Sequence, residues 1–267
     1  MHSAQKPRQL RALFISDTHL GMRGAQAGAL LDFLQSVEAE CIYLVGDFVD
    51  GWKLRKSWHW PPACNRVIQH LLDCTRKGAR IVYVPGNHDE FLREFAALRF
   101  GGIDVRERAI HTGADGRRYL VIHGDQFDVV VRHARWVSWL GDISYNLALR
   151  GAMLINRVRQ RLGRPRWSLS GWARANVGRA AALIERFETA LVREADEQGF
   201  DGVVCGHIHA AAIASHGSVT YLNCGDWVEN CTAIVETREG RFELIRWVEE
   251  TVPIRQAVLP PMQEATP

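Results

Sequence analysis

Five short polar clusters contain the residues of this sequence whose side chains could bind a metal ion. They combine carboxylates, imidazoles and one amide, and each follows a run of apolar residues. The clusters are Asp17-Thr18-His19, Gly46-Asp47, Gly86-Asn87-His88-Asp89, His123-Gly124-Asp125 and Gly206-His207-Ile208-His209. A single cluster of this kind is more typical of a capped turn or a sheet-face histidine than of a metal site. Five of them, each after an apolar run, predict one shared metal site.

The donor types in these clusters indicate which ions would bind. Oxygen and nitrogen donors without a thiolate suit two hard or borderline divalent ions, and Mn²⁺, Fe²⁺ and Zn²⁺ all meet this description. The six cysteines include no CxxC pair, so a structural zinc site is not predicted. A carboxylate shared by two ions is the two-metal arrangement of phosphoryl chemistry.

Short apolar runs alternate with helical patterns along the first part of the chain. The runs lie at 12–16, 41–45 and 80–84, and helical patterns lie at about 25–37 and 63–77. This alternation predicts βαβ units, an α/β fold and a parallel sheet covered on both faces. Because ligands bind outside the carboxyl ends of such strands, the polar clusters are expected to meet there.

Two further segments carry structural predictions. Residues 51–62 are interpreted as a loop rich in Trp and basic residues. Near the end of the chain, runs at 218–227, 231–237 and 241–247 predict an antiparallel meander.

A helical pattern without strand-like runs extends over 129–199 and interrupts the predicted core, which comprises 9–128 and 200–250. Ten arginines, no lysine and a single acid, Asp142, lie between Arg132 and Arg179. One alternative is a helical pair packed on the core with its arginines in solvent. The other is a cap whose apolar side accepts acyl chains and whose arginines meet anionic head groups. A loosely ordered tail is predicted over 252–267.

Composition narrows the class of protein. The chain has 267 residues, 47% of them hydrophobic and 24% charged, with a net charge of +3, which is ordinary for a soluble globular protein. The small net charge does not favour a nucleic-acid partner. The cysteine pattern favours reduced core cysteines and a reducing compartment. Without an apolar leader or an 18-residue apolar run, we expect a cytoplasmic protein, with peripheral contact at the inner face of a membrane as an alternative.

The series D-x-H, G-D-x-x-D-G, G-N-H-D, H-G-D and G-H-x-H resembles the calcineurin-like metallophosphoesterases. The resemblance implies two mixed β-sheets stacked face to face and flanked by helices, a four-layer sandwich. It also implies two divalent ions, Mn²⁺ being favoured, with Asp47 bridging them. One ion would be held by Asp17, His19, Asp47 and His209, and the other by Asp47, Asn87, His123 and His207.

The same resemblance implies a reaction in which metal-bound hydroxide attacks the phosphorus of a phosphate ester or pyrophosphate. His88 would then donate a proton or stabilise charge on the leaving oxygen, with Asp50 as its partner. A carboxylate partner raises an imidazole pKa and fixes its tautomer. Asp89 and Glu90 are interpreted as turn or helix-start residues rather than catalytic ones.

The stretches DGWKLRKSW, GNHDEF, HGDQFD and GDWVE, with the helical insertion, resemble the UDP-2,3-diacylglucosamine diphosphatase family of lipid A biosynthesis. That family consists of Mn²⁺-dependent peripheral membrane enzymes, and this chain looks like a paralogous branch. The family typically carries Arg at the position of His88 and Glu at that of Asp50. Because Arg remains a fixed cation whereas His can donate a proton, the exchange bears on the substrate.

The expected substrate is a phosphorylated amphiphile or nucleotide sugar. Its candidate binding residues are Trp52, Arg55, Trp58, Asp125 and Arg132. A soluble metallophosphatase or phosphodiesterase acting on a nucleotide or phosphoprotein remains the alternative, and a catalytically silent metal-binding scaffold is a third hypothesis. The oligomeric state stays open, since an exposed Trp-rich loop would also suit a dimer interface.

Overall fold

Two β-sheets packed face to face form the centre of the molecule. The computed structural model describes residues 6–127, 159, 162 and 178–247. The strands are β1 (Arg8–Ile15), β2 (Val37–Val45), β3 (Arg80–Val84), β4 (Arg99–Phe100), β5 (Ile103–Val105), β6 (Ala109–Thr112), β7 (Arg118–Val121), β8 (Gly202–Cys205), β9 (Ala212–His216), β10 (Val219–Asn223), β11 (Thr232–Thr237) and β12 (Phe242–Arg246). The helices are α1 (Ala27–Ser36), α2 (Gly51–Lys56), α3 (Pro62–Arg76) and α4 (Gly178–Glu197), with 3-10 helices at Glu90–Phe95 and Asp125–Phe127.

The first sheet has seven strands in the order β12-β11-β1-β2-β3-β5-β4. Its centre, β1-β2-β3-β5, is parallel, while β11, β12 and β4 pair antiparallel with their neighbours. The second sheet has five strands in the order β6-β7-β8-β10-β9. Here β7, β8 and β10 are parallel, and the two edge strands are antiparallel. Both sheets are therefore mixed, as expected.

Three layers of buried apolar side chains hold the sheets and helices together. Helices α1 and α3 cover the outer face of the first sheet with side chains such as Phe33 and Val67. Between the sheets, Phe14 stacks on Tyr43 with ring centroids 4.8 Å apart. Each fully buried side chain of this size contributes roughly 1.5–3 kcal/mol to folding. The four-layer sandwich is confirmed.

Helix α4 forms the outer layer on the second sheet. Its residues Phe187, Leu191 and Ala195 pack on β8 and β10. This helix belongs to the segment 129–199 that we predict as an insertion. The helical part of the segment that the structure describes therefore packs on the core. Before this helix, only 159 and 162 of that segment are described, so Arg132 lies outside the described residues. The predicted tail at 252–267 also lies outside them.

Two local predictions were wrong. Residues 51–62 are not all loop, because α2 begins directly after Asp50, whose side chain accepts a hydrogen bond of 2.8 Å from the Lys53 amide. This N-cap and a basic last turn stabilise a short helix that apolar periodicity does not reveal. The predicted meander is wrong in its first strand: β11 and β12 pair antiparallel as expected, but β10 lies in the second sheet and β11 in the first. Apolar patterns identify strands but not their partners.

Among the described residues, no helix is both long enough and apolar enough to cross a membrane.

Candidate metal centre

The five polar clusters lie at the carboxyl ends of five strands. Strands β1, β2 and β3 of the first sheet and β7 and β8 of the second each end just before one of them. These five strands run parallel to their neighbours among the five, and the sheets stack face to face, so the five ends meet at one edge of the sandwich. Every predicted metal ligand follows one of these strand ends.

The side chains of these clusters approach one another closely. Nε2 of His123 lies 3.4 Å from Oδ2 of Asp47, and Nε2 of His209 lies 3.2 Å from Oδ1 of Asp17. Nε2 of His19 lies between the two carboxylates, 3.8 Å from Asp17 Oδ1 and 3.9 Å from Asp47 Oδ2. The imidazoles and carboxylates therefore form one continuous group.

Three sets of side chains each place their possible ligand atoms within 4.8 Å of one another. The sets are Asp17, His19 and His209; His19, Asp47 and His88; and Asp47, His123 and His207. Asp47 and His19 each belong to two of them, and of the two only the carboxylate, with its two oxygens, can bridge a pair of ions. His88, predicted as catalytic rather than as a ligand, lies beside Asp47 in the middle set.

Polar atoms without hydrogen-bond partners test whether this group suits a metal ion. Within the part of the chain that the structure describes, the buried Oδ1 of Asn87 has no hydrogen-bond partner. Asp17 Oδ1 and His123 Nε2, which lie 3.2 Å from His209 and 3.4 Å from Asp47, also lack hydrogen bonds of normal geometry. A buried polar atom left unsatisfied is unfavourable by about 1–3 kcal/mol. Divalent ions would satisfy these oxygen and nitrogen donors, so the residues fit a metal centre.

The backbone at five predicted ligands adopts a left-handed conformation. The φ angles are +52° at Asp17, +45° at His19, +51° at Asp47, +69° at His207 and +49° at His209. This conformation is unfavourable for residues other than Gly, by about 1–2 kcal/mol each. Strain of this kind concentrates at functional sites, where the surrounding structure holds it in place. It turns each side chain back over the end of its strand.

Two glycines leave the space that the ligands occupy. A Cβ atom at Gly206 would overlap Ser16 Oγ and Asp17 Oδ2, and one at Gly86 would overlap Asp47 Oδ1. The Gly86 Cβ would also lie 2.7 Å from His123 Nε2. Any larger residue at these positions would displace a carboxylate of the site.

Opposite charges dominate the ionisation of the group. Burial raises the pKa of Asp17, but the neighbouring His209 outweighs it and lowers that pKa to about 2. Burial lowers the pKa of His209 and His123, but Asp17 and Asp47 outweigh it and raise these values to about 9 and about 10. In the ion-free protein the carboxylates are therefore ionised and these two imidazoles are protonated at neutral pH.

Asp50 links two imidazoles beneath this group. Its Oδ1 lies 3.1 Å from Nδ1 of His88, and its Oδ2 lies 3.3 Å from Nδ1 of His19. Burial raises the Asp50 pKa, but hydrogen bonds to the two imidazoles outweigh this and hold it below its usual value. The indole of Trp52 lies on His88 with ring centroids 4.3 Å apart. The predicted pairing of His88 with Asp50 is present in the geometry.

Asp89 has a larger structural role than the sequence indicated. Its buried carboxylate accepts hydrogen bonds from the amides of Gly86, at 2.6 Å, and Phe48, at 2.8 Å, and from the hydroxyl of Tyr83, at 2.5 Å. The Asp47 amide is a longer donor at 3.3 Å. Asp89 thus ties the loop after β2 to the loop after β3. Its spacing in the sequence gave no signal for this.

Asn223 is a second residue that the sequence analysis missed. Its Nδ2 donates to the carbonyl oxygen of Gly206 at 3.0 Å, and its Oδ1 accepts from the amide of Gly225 at 2.9 Å. It therefore supports the turn that carries His207. A polar residue closing an apolar strand, as in Tyr-Leu-Asn, was the available signal.

The predicted substrate residues separate into several groups. Trp52 contacts the site through His88. Arg55 is exposed and Trp58 is 75% exposed, and neither makes a described contact with the ligand side chains. Asp125 is buried and pairs with Arg93 at 2.8 Å. Arg132 lies outside the described residues.

Comparison with known proteins identifies related sequences. Residues 10–211 match the model of the calcineurin-like phosphoesterase family. A UDP-2,3-diacylglucosamine hydrolase of Cellvibrio japonicus (strain Ueda107) is 28% identical over 216 residues, covering 76% of this chain and 83% of the relative. One from Haemophilus influenzae (strain PittGG) is 25% identical over 248 residues, covering 87% and 98%.

The solved structures that align with this chain are more distant in sequence. A single mutant of Vps29 from Entamoeba histolytica aligns with a TM-score of 0.47 and 14% identity, covering 92% of this chain and 97% of that one. Yfce, a phosphoesterase from E. coli, aligns with a TM-score of 0.45 and 14% identity, covering 88% and 91%.

Proposed function

The chain belongs to the calcineurin-like phosphoesterase family and is a metal-dependent phosphoester hydrolase, and we propose that it cleaves the pyrophosphate of a UDP-linked diacylated sugar or a close analogue. One observation carries the proposal of a two-metal site. On one side, Asp47 forms a set with His123 and His207. On the other side it forms a set with His19, which in turn forms a set with Asp17 and His209. A single carboxylate thus faces both halves of the ligand group.

The ion nearer β1 would be held by Asp17, His19, Asp47 and His209. The other would be held by Asp47, Asn87, His123 and His207. When bound, such a pair supplies Lewis-acid stabilisation of phosphoryl charge and lowers the pKa of a coordinated water. Mn²⁺ is the proposed ion, because the donors are hard or borderline and the family resemblance favours it.

Among the residues of the chain, His88 is the one that we propose as the proton donor. Its Nδ1 faces Asp50, so its Nε2 is the atom turned toward the ligand group, 4.0 Å from Asp47 Oδ2. We assign the protonated Nε2 to the leaving oxygen of the ester, where it donates a proton or stabilises charge. Trp52 covers the other side of the imidazole and restricts its rotation.

The substrate class rests on the relatives and on the charge of the chain. The relatives are named UDP-2,3-diacylglucosamine hydrolases. The arginine-rich segment between Arg132 and Arg179 suits a substrate with anionic groups presented at a lipid surface. We therefore also propose a cytoplasmic enzyme that contacts anionic membranes peripherally, with residues 129–177 contributing the contact as an inserted cap.

Turnover followed by ³¹P NMR in the presence of Mn²⁺ tests the substrate. The panel comprises UDP-2,3-diacylglucosamine, UDP-glucose, a cyclic nucleotide and a phosphopeptide. We expect the diacylated substrate to yield two phosphomonoesters, UMP and the acylated sugar 1-phosphate, faster than UDP-glucose reacts. Turnover of the cyclic nucleotide or the phosphopeptide alone would contradict the lipid substrate and support a soluble phosphodiesterase or phosphatase.

Co-sedimentation with liposomes tests the membrane contact separately. The intact protein should pellet with anionic vesicles at low salt and remain in the supernatant with neutral ones. Failure to pellet with anionic vesicles would contradict the membrane contact while leaving the hydrolase activity untouched.

A further inference from the structure

Arg93 and Asp125 form an ion pair at the margin of the candidate metal centre. Nη2 of Arg93 donates to both carboxylate oxygens of Asp125, at 2.8 Å each. The same nitrogen lies 3.4 Å from the carbonyl oxygen of Pro85. One guanidinium therefore contacts the loop after β3 and the loop after β7.

Those two loops carry two of the proposed ligands of a single ion. Pro85 lies two residues before Asn87, and Asp125 lies two residues after His123. The Asn87 loop belongs to the first sheet and the His123 loop to the second. A buried contact of 2.7 Å between His111 and Glu236 joins β6 to β11 rather than these two loops. The other side chains between the sheets are mainly apolar, and apolar contacts do not fix direction. A directional ion pair at this edge does, because it sets the separation of the two loops.

The burial of the pair is unequal. Asp125 is only 7% exposed, whereas the side chain of Arg93 is 37% exposed. A buried carboxylate is strongly unfavourable without a partner, so Asp125 depends on Arg93 for its position. The contacts of Asp125 thus point to an anchor for Arg93 rather than to the substrate ligand that the sequence suggested.

We propose that Arg93 is a positioning residue for the ion that Asn87 and His123 share, acting through its pair with Asp125. The proposal rests on the two-metal site of the proposed function. Residues that orient ligands from outside the coordination sphere commonly change metal affinity by about 10- to 100-fold when removed. The ion on the His209 side has no ligand on either joined loop, so it should be less affected.

Mn²⁺ binding to the ion-free full-length protein tests this directly. Isothermal titration calorimetry would give the two affinities, and EPR would separate an exchange-coupled Mn²⁺ pair from an isolated ion. In Arg93→Ala we expect one of the two affinities to fall about 10- to 100-fold, the other to change much less, and the coupled EPR signal to be lost at matched Mn²⁺. Arg93→Lys, which keeps the charge, should recover part of both.

A second arginine–aspartate pair provides the matched control. Nε of Arg99 lies 3.4 Å from Oδ1 of Asp104 on the β4–β5 edge, and neither residue contacts a predicted ligand. Arg99→Ala should leave both Mn²⁺ affinities and the EPR signal unchanged.

Three results would overturn the proposal. Two unchanged Mn²⁺ affinities in a folded Arg93→Ala would do so, and so would an Arg93→Lys that binds no better than Arg93→Ala. An Arg93→Ala with unchanged Mn²⁺ binding and a raised KM alone would show that Arg93 binds substrate instead. A wild-type protein that binds fewer than two ions would overturn the two-metal function itself, an outcome seen before any variant is measured.

Discussion

Asp50 contacts the imidazole of His88 at Nδ1, which lies 3.1 Å from Oδ1 of Asp50. Nε2 of the same ring lies 4.0 Å from Oδ2 of Asp47. A carboxylate on one ring nitrogen favours the protonated imidazole and fixes which nitrogen faces the reaction. Because His88 is not among the proposed ligands, a change at His88 tests the proposed proton donation apart from metal binding, whereas Asp50 contacts both His88 and the proposed ligand His19.

Replacing His88 with Ala should lower kcat by about 10²- to 10⁴-fold, the usual contribution of a positioned proton donor. The metal affinities should change much less, because His88 is not among the proposed ligands. Steady-state kinetics at saturating Mn²⁺, together with the Mn²⁺ content measured by atomic absorption, would check both parts. Near-wild-type kcat in a fully loaded variant would contradict the role of His88.

Asp50→Asn should lower both kcat and metal affinity. The carboxylate also contacts His19, a proposed ligand, at 3.3 Å, so its loss weakens the support of one ion as well as of His88. We expect metal affinity to fall about tenfold. The substitution is well matched because Asn is as good an N-cap as Asp, and α2 should therefore remain folded. A variant that loses kcat but binds Mn²⁺ like wild type would contradict the second contact.

Asp89→Asn should destabilise the fold and loosen the site together. The carboxylate accepts from the Gly86 and Phe48 amides and the Tyr83 hydroxyl, and the amide of Asn cannot accept through its nitrogen. Burial and the neighbouring Asp47 raise the pKa of Asp89, so the charge itself adds little stability. Buried donors left unpaired cost about 1–3 kcal/mol, so the free energy of unfolding should fall by about that amount.

Urea unfolding of the ion-free protein would measure the effect of Asp89→Asn. Tyr83→Phe is the matched control, since it removes one donor and leaves the two amides paired, and it should therefore be less destabilising. An Asp89→Asn variant as stable as Tyr83→Phe would show that the amide contacts contribute little.

The convergence of the proposed ligands at one edge was predictable from the sequence because each of them closely follows a strand. A strand end fixes where a side chain lies to within a residue or two, and parallel strands bring their ends to one edge. His123 and His207 follow β7 and β8 in this way, although these strands belong to the second sheet. The family resemblance supplied the pairing of the sheets, which local patterns do not contain.

Contacts that depend on tertiary placement could not be predicted in the same way. Asp89 was expected to shape only its own turn, yet its carboxylate reaches the amide of Phe48, 41 residues earlier. The pairing of β10 with β8 rather than with β11 is similarly non-local. Both depend on which loops face each other after the sheets stack, and no spacing within one segment records that.

The affinity for Mn²⁺ should rise with pH from about 6 to about 9. In the ion-free protein, Asp47 and Asp17 raise the pKa of His123 to about 10 and that of His209 to about 9, above the usual value of 6.5. These pairs therefore stabilise the ion-free fold below about pH 6.5, and their contribution is lost as pH rises through 9 to 10. A metal ion binds only the neutral imidazole, so the bound protons compete with it until the solution pH removes them.

Calorimetry in two buffers of different ionisation enthalpy would detect these protons. At pH 7.5 we expect Mn²⁺ binding to release close to two protons per protein, one from each imidazole, which makes the observed enthalpy depend on the buffer. His209→Gln removes one of the two groups and should lower the release to about one proton, whereas His216→Gln, on the edge strand β9, should leave it unchanged. An enthalpy that is the same in both buffers for the wild-type protein would contradict protonated ligands in the ion-free site.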